Sequence, residues 1–169
     1  MKRYLPNLAV AATMTAVSIF FMVFVTHALA ETPKEEDFDL SWCFVGTPFV
    51  IKVGDTHTVF SWELTGGVWS NSTGGPFDNH AIRCIGRGSV IEGKWNINGF
   101  CEMLDRDGDK TLWSHIIDEK GDRFAILTGT GKYAGITGNA EGRKGARFPT
   151  IKEGTFQGCD HAVGTYKLP

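Results

Sequence analysis

The chain has 169 residues, with 17 Lys and Arg against 19 Asp and Glu and a formal net charge of −2. That near balance excludes the basic footprint of a nucleic-acid binder. A hydrophobic share of 42% over this length allows one ordinary domain with a core of its own.

The chain opens with Lys2 and Arg3, followed by an apolar stretch without charge over 8–25. This N-terminal segment ends in Ala28-Leu29-Ala30, a small-residue cleavage signature. The pattern predicts a cleaved signal peptide over 1–30 and export through the secretory pathway to a periplasmic or extracellular compartment. After cleavage no membrane attachment is expected; the rival reading is an uncleaved anchor. Glu31, Glu35, Glu36 and Asp37 predict a mobile acidic leader over 31–37, which leaves 38–169 as a single domain.

All four cysteines, Cys43, Cys84, Cys101 and Cys159, fall in that domain. An even number in an exported chain implies two disulfides. Zinc fails on spacing, since there is no C-x-x-C pair and no histidine close to two cysteines. Their number alone leaves three pairings open.

Beyond residue 37, helical periodicity is nearly absent. Short β-type runs take its place: 38–46, 48–54, 57–64, 67–71, 80–86, 89–97, 100–105, 111–118, 123–129 and 162–168. Gly54-Asp55, Gly66-Gly67, Gly74-Gly75-Pro76, Gly108-Asp109 and Gly121-Asp122 punctuate them. Phe60, Trp62 and Leu64 alternate with Val59, Ser61 and Glu63, so one strand face is apolar. Glycines inside strands suit the corners of a small barrel. The expected fold is all-β, a small antiparallel closed β-barrel of about eight strands.

Residues 128–138 read TGTGKYAGITG. A Walker A loop would need Gly where Ile126 stands and Ser or Thr where Tyr133 stands. Gly129, Gly131 and Gly135 also miss the dinucleotide spacing, and no βαβ unit surrounds them. The better reading is a strand end, a tight turn over 132–135 and a further strand. No cofactor is expected.

This segment, with GFCEMLDRDGDK at 99–110 and the closing GTYKLP, resembles the allene oxide cyclase-like barrel superfamily, in the manner of its small exported bacterial members. The superfamily includes the plant dirigent proteins. The resemblance covers about residues 99–169 and is weaker over 38–98. It implies a closed barrel in which Gly129, Gly131, Gly135 and Gly138 belong to the turn motif between consecutive strands and Tyr133 packs as a plug. It also implies a homo-oligomer, as the plant barrels form trimers. In the plant cyclases the pocket steers a reactive epoxide, and dirigent proteins guide the coupling of phenolic radicals. Their catalytic positions do not align with this chain, and none is carried over.

Candidate chemistry is sparse. Asp105, Asp107 and Asp109 form a carboxylate-rich loop, but calcium would want Gly at Lys110 and Glu at Ile116, so a wet hairpin tip is the alternative and no metal is expected. Glu63, Glu102 and His115 sit inside β-type runs. Pointing inward, they could serve as acid or base; pointing outward, the glutamates are merely solvated. Phe60, Trp62, Leu64, Trp113 and Phe124 either fill the barrel or line a pocket for a small apolar ligand. The expected function is non-catalytic binding of a small apolar molecule or a partner protein; an isomerase or cyclase acting on a reactive apolar substrate in the barrel is the alternative. Asn71-Ser72-Thr73 is formally a glycosylation sequon. Cys84 and Cys101 flank Glu92-Gly93 symmetrically, so a hairpin there would pair them. Closure of an up-and-down barrel would then bring Cys43 to Cys159.

Overall fold

The computed structural model describes residues 35–169. The expected signal peptide over 1–30 lies outside the described residues. Eight antiparallel strands follow one another around a closed barrel: β1 (Glu35–Val53), β2 (His57–Ser70), β3 (His80–Ile91), β4 (Lys94–Leu104), β5 (Lys110–Asp118), β6 (Gly121–Gly129), β7 (Thr137–Arg147) and β8 (Phe156–Lys167). β8 closes onto β1, from Glu35 opposite Lys167 to Gly46 opposite Phe156. Closure pairs the strand edges that would otherwise stay open. A 3-10 turn at Gly131–Tyr133 is the one helical piece among the described residues.

Several sequence boundaries move. Runs 38–46 and 48–54 are one strand; Pro48 lies past the last β8 pair, where that side of β1 has no ladder to interrupt. Gly66-Gly67, expected as punctuation, lies inside β2. There β2 presses on β1, and a Cβ on Gly66 would come within 2.9 Å of Phe44 Cα. Run 89–97 divides at Glu92-Gly93, whose φ angles of 52° and 81° suit a two-residue hairpin turn. Of the acidic leader, Glu35, Glu36 and Asp37 open β1, paired with β8. Glu35 meets Lys167 at 3.0 Å, and the Tyr166 hydroxyl donates to Glu36 at 2.5 Å.

The disulfides join Cys84 to Cys101 across the β3–β4 hairpin and Cys43 to Cys159 across the closing seam. This is the pairing that hairpin and closure imply. Their sequence separations are 17 and 116 residues. By loop entropy they correspond to about 3 and about 5 kcal/mol respectively.

Side chains alternate in and out with the period of two that strands impose. Phe38, Leu40, Trp42 and Phe44 of β1 point inward and are buried. Ile82 and Cys84 of β3, Cys101 and Met103 of β4, Trp113 of β5 and Phe124 and Ile126 of β6 join the same core. Each fully buried large apolar side chain contributes about 1.5–3 kcal/mol. Beyond Gly46, β1 continues paired only with β2, with Phe49, Ile51 and Val53 exposed.

Candidate functional site

The two ends of the barrel are built differently. At one end the loop between β2 and β3 turns inward and delivers Phe77, whose exposure is 0%. Its ring meets Trp113, Phe38 and Tyr166 edge to face at 5.3, 5.5 and 5.6 Å, and stacks on Tyr133 at 6.0 Å. These are the edge-on and offset geometries that aromatic quadrupoles favour. The Tyr133 hydroxyl donates to the Pro76 carbonyl at 3.0 Å and lies 3.0 Å from His80 Nε2. His80 Nδ1 faces the Asp78 carbonyl at 3.0 Å, so that nitrogen carries the hydrogen. Burial lowers the His80 pKa below its ordinary value. Burial, helped by Glu36, pushes the Tyr166 phenol up to about 12.

The glycine turn belongs to this plug. Tyr133 is buried, and Gly131 and Gly135 take φ of 52° and 79°, the left-handed region a side chain would resist. Gly129 packs on Tyr133: a Cβ there would come within 3.0 Å of Ile136. Gly138 lies at the start of β7 against β8.

The lysine of this turn faces carboxylates. Lys132 Nζ meets Asp105 Oδ2 at 2.5 Å and Asp107 Oδ2 at 2.8 Å, while its backbone N–H donates to Asp109 Oδ2 at 3.1 Å. Asp105 Oδ1 accepts the backbone N–H groups of Asp107 and Asp109 at 2.8 and 2.9 Å. The Lys132 hydrogen bond holds the Asp105 carboxyl down to about 2, and the same pairing raises the Lys132 ammonium. The ammonium thus stands between the oxygens that were the calcium candidates. Among the described residues no group of three or more His, Cys, Asp or Glu side chains is placed to hold a metal.

The other end is open. Above the Cys84–Cys101 disulfide the barrel holds a cavity of about 560 Å3. Phe60, Trp62, Leu64, Trp113 and Phe124, the five expected pocket residues, all line it, with Trp42, Phe44 and Trp95 among others. Glycines on neighbouring strands seat these rings. A Cβ on Gly99 would come within 2.9 Å of the Trp62 ring, and one on Gly88 within 2.7 Å of Phe60. The wall is apolar except for Thr58, His115, Arg147 and Asp160. His115 Nε2 lies 2.8 Å from Asp122 Oδ1, and its ring stacks on Phe124 at 4.3 Å, 7° from parallel. Arg147 grips both oxygens of Asp160, at 2.5 and 3.3 Å, and its guanidinium lies 5.5 Å from the Phe44 ring centre.

The other two acid–base candidates lie outside. Glu63 and Glu102 occupy outward positions of β2 and β4, and both pair with Arg83, at 2.8 and 3.8 Å. They share no site with His115. Sequence reading missed Phe77, because it sits in a polar Gly-Pro loop. It also missed Asp122, although Asp122, Phe124 and Ile126 share one strand face and that alternation marks it as inward. Arg147 and Asp160 had no signal in the sequence.

No family model matches the chain. No curated protein matches it. Among solved structures it is similar to a pterocarpan synthase dirigent protein, at 11% identity and a TM-score of 0.46, over 85% of this chain and 99% of that one. A likeness at that level says nothing about chemistry.

Proposed function

We propose that this is an exported barrel that holds a small apolar molecule in its open half without transforming it. One observation carries the reading: an aromatic-walled cavity of about 560 Å3 opens at one end of a barrel whose other end is plugged by Phe77. That volume lies in the range of small-molecule pockets. Burying a ten-carbon skeleton at about 25 cal/mol per Å2 supports micromolar affinity after association costs. The N-terminal targeting pattern and the two disulfides support export. Titrating the chain beginning at Glu31 with camphor or a hydrophobic fluorescent probe, while following tryptophan emission, tests it. A saturable change is expected. No change up to the solubility limit overturns the reading.

A second reading, an isomerase or cyclase, is favoured by one feature: a histidine–carboxylate pair opens onto an apolar cavity. It requires that a bound ligand be recovered as a different compound. Recovery of the ligand unchanged supports the binding role.

A further inference from the structure

The polar edge of the cavity has a direction. Asp122 is a carboxylate and only accepts hydrogen bonds. The His115 nitrogen 2.8 Å from it, Nε2, must therefore be the one that carries hydrogen. In the neutral ring the other nitrogen, Nδ1, is then a bare acceptor. Among the described residues His115 has the Asp122 bond and the Phe124 stack and nothing else, and its Nδ1 is not sealed from solvent. His115 occupies the inward register of β5, with Thr111 and Trp113, and lines the cavity. Nδ1 is thus an unused acceptor on a side chain that lines the cavity, in a ring held by a carboxylate at one edge and a phenyl ring on one face.

The other polar wall groups are not bare acceptors: the Thr58 hydroxyl both donates and accepts, and Arg147 only donates. Both Asp160 oxygens face Arg147, so this carboxylate and this guanidinium answer each other. Asp122 adds a negative charge behind His115, and among the described residues no Lys or Arg is bonded to it. A carboxylate-headed ligand would meet net negative charge here, and a ligand with only acceptors would leave Nδ1 unpaired.

We infer that the pocket selects a neutral apolar alcohol, whose hydroxyl donates to His115 Nδ1, and that Asp122 is the residue positioning that imidazole. This rests on the binding reading above and narrows its ligand class. A site built to pair one hydroxyl discriminates against the analogue that lacks it, because the buried acceptor is then left unmatched.

Borneol and camphor share a rigid ten-carbon cage and differ in one respect that matters: borneol donates a hydrogen bond and camphor only accepts. Titrations at pH 8 on the chain beginning at Glu31 should show borneol binding on the order of tenfold more tightly than camphor. His115→Phe keeps a ring to stack on Phe124 and should bind both equally, near the camphor value. Asp122→Asn should reduce the preference, because an amide no longer dictates which nitrogen is protonated. In the unsubstituted protein, the 15N resonance of His115 Nδ1 should shift with borneol and stay put with camphor. Equal binding of the two compounds, or a preference that survives His115→Phe, overturns the alcohol assignment and leaves the binding reading intact. Failure of both compounds to bind overturns both. If His115→Phe does not fold, the 15N shift decides alone, and its absence on borneol binding overturns the inference.

Discussion

The plugged end and the open end of this barrel are made from the same strands and the same alternation, yet one is solid and the other hollow. The difference lies in the connections. At the plugged end the loops over 71–79 and 130–136 are long enough to fold back, and they deliver Phe77, Tyr133 and Ile136 onto the ends of the strands, while the loop over 105–109 holds Lys132. At the open end the turns over 54–56, 92–93 and 119–120 only reverse the chain. The longer loop over 148–155 carries Ile151 away from the barrel, 92% exposed. Rings at the plugged end rest on one another, whereas at the open end Trp62 rests on Gly86 and Gly99, and Phe60 on Gly88 as well as on the Trp95 ring. Strands set which side chains face inward; loops decide whether the space between them is filled.

The sharpest way to break that contrast is Phe77→Ala. Phe77 is the centre of the aromatic plug, and its removal leaves a hole that neighbouring rings fixed by the strands cannot close. The expected loss is about 3–5 kcal/mol by chemical denaturation. A loss under about 1 kcal/mol would mean that the plug is not core. At the open end the matching change is Gly86→Ala. Its Cβ would push into the Trp62 ring and come within 2.8 Å of the Asn98 carbonyl. Overpacking there should cost about 1–3 kcal/mol and weaken camphor binding by crowding the cavity. Unchanged binding would show that Trp62 is not part of the wall that matters.

A gentler difference is in pH. Burial lowers the folded-state pKa of His80 at the plugged end below 6.5. A lowered histidine pKa gives stability that is complete above the unfolded value and is lost as pH falls toward the folded one. The unfolding midpoint should therefore decline below about pH 6.5. The decline should shrink in His80→Phe. Asp105 adds a second step: held at about 2 by Lys132, its contribution is present above the unfolded carboxylate pKa and is lost as pH falls from about 4 toward 2. Lys132→Met should shrink that step, since the backbone N–H groups of Asp107 and Asp109 still hold the carboxylate, and should leave most of the burial-driven His80 step in place. Identical acid profiles in all three proteins would place the pH dependence elsewhere.

This contrast also marks how far the sequence could be read. The barrel was legible because Phe60, Trp62 and Leu64 alternate cleanly, and because Glu92-Gly93 centres a hairpin that pairs Cys84 with Cys101. Strand β7 was hardly legible: Thr137–Arg147 carries only Ala140 and Ala146 as apolar residues, so backbone pairing and small side chains hold it, and neither leaves a pattern. Glu35 to Asp37 looked like a leader because acidic runs usually are; Lys167 and Tyr166 lie opposite them only once β8 has closed the barrel. Five wall residues of the hollow half were legible, but not that the space between them stays empty. Whether aromatics fill or line a barrel depends on where the loops go, and the sequence around Phe77 has the composition of an ordinary polar turn.

The smallest expected effect belongs to the outer wall. Glu63 lies between Trp62 and Leu64 in β2, and the period of two sends it outward while they face the cavity. There it accepts from Arg83 Nε at 2.8 Å, with half of its side chain exposed. Exposed pairs of this kind add little and are screened by salt. Glu63→Gln should therefore leave the camphor and borneol affinities unchanged, and its melting temperature should match the parent's within error at both low and high ionic strength. His115→Phe, on the inner wall, should change the choice of ligand, so the two substitutions test the same assignment of faces from opposite sides. A tenfold fall in binding on changing Glu63 would mean that a carboxylate on the outer surface contributes to the ligand site, and the division of this barrel into an inert outside and a selective inside would have to be given up.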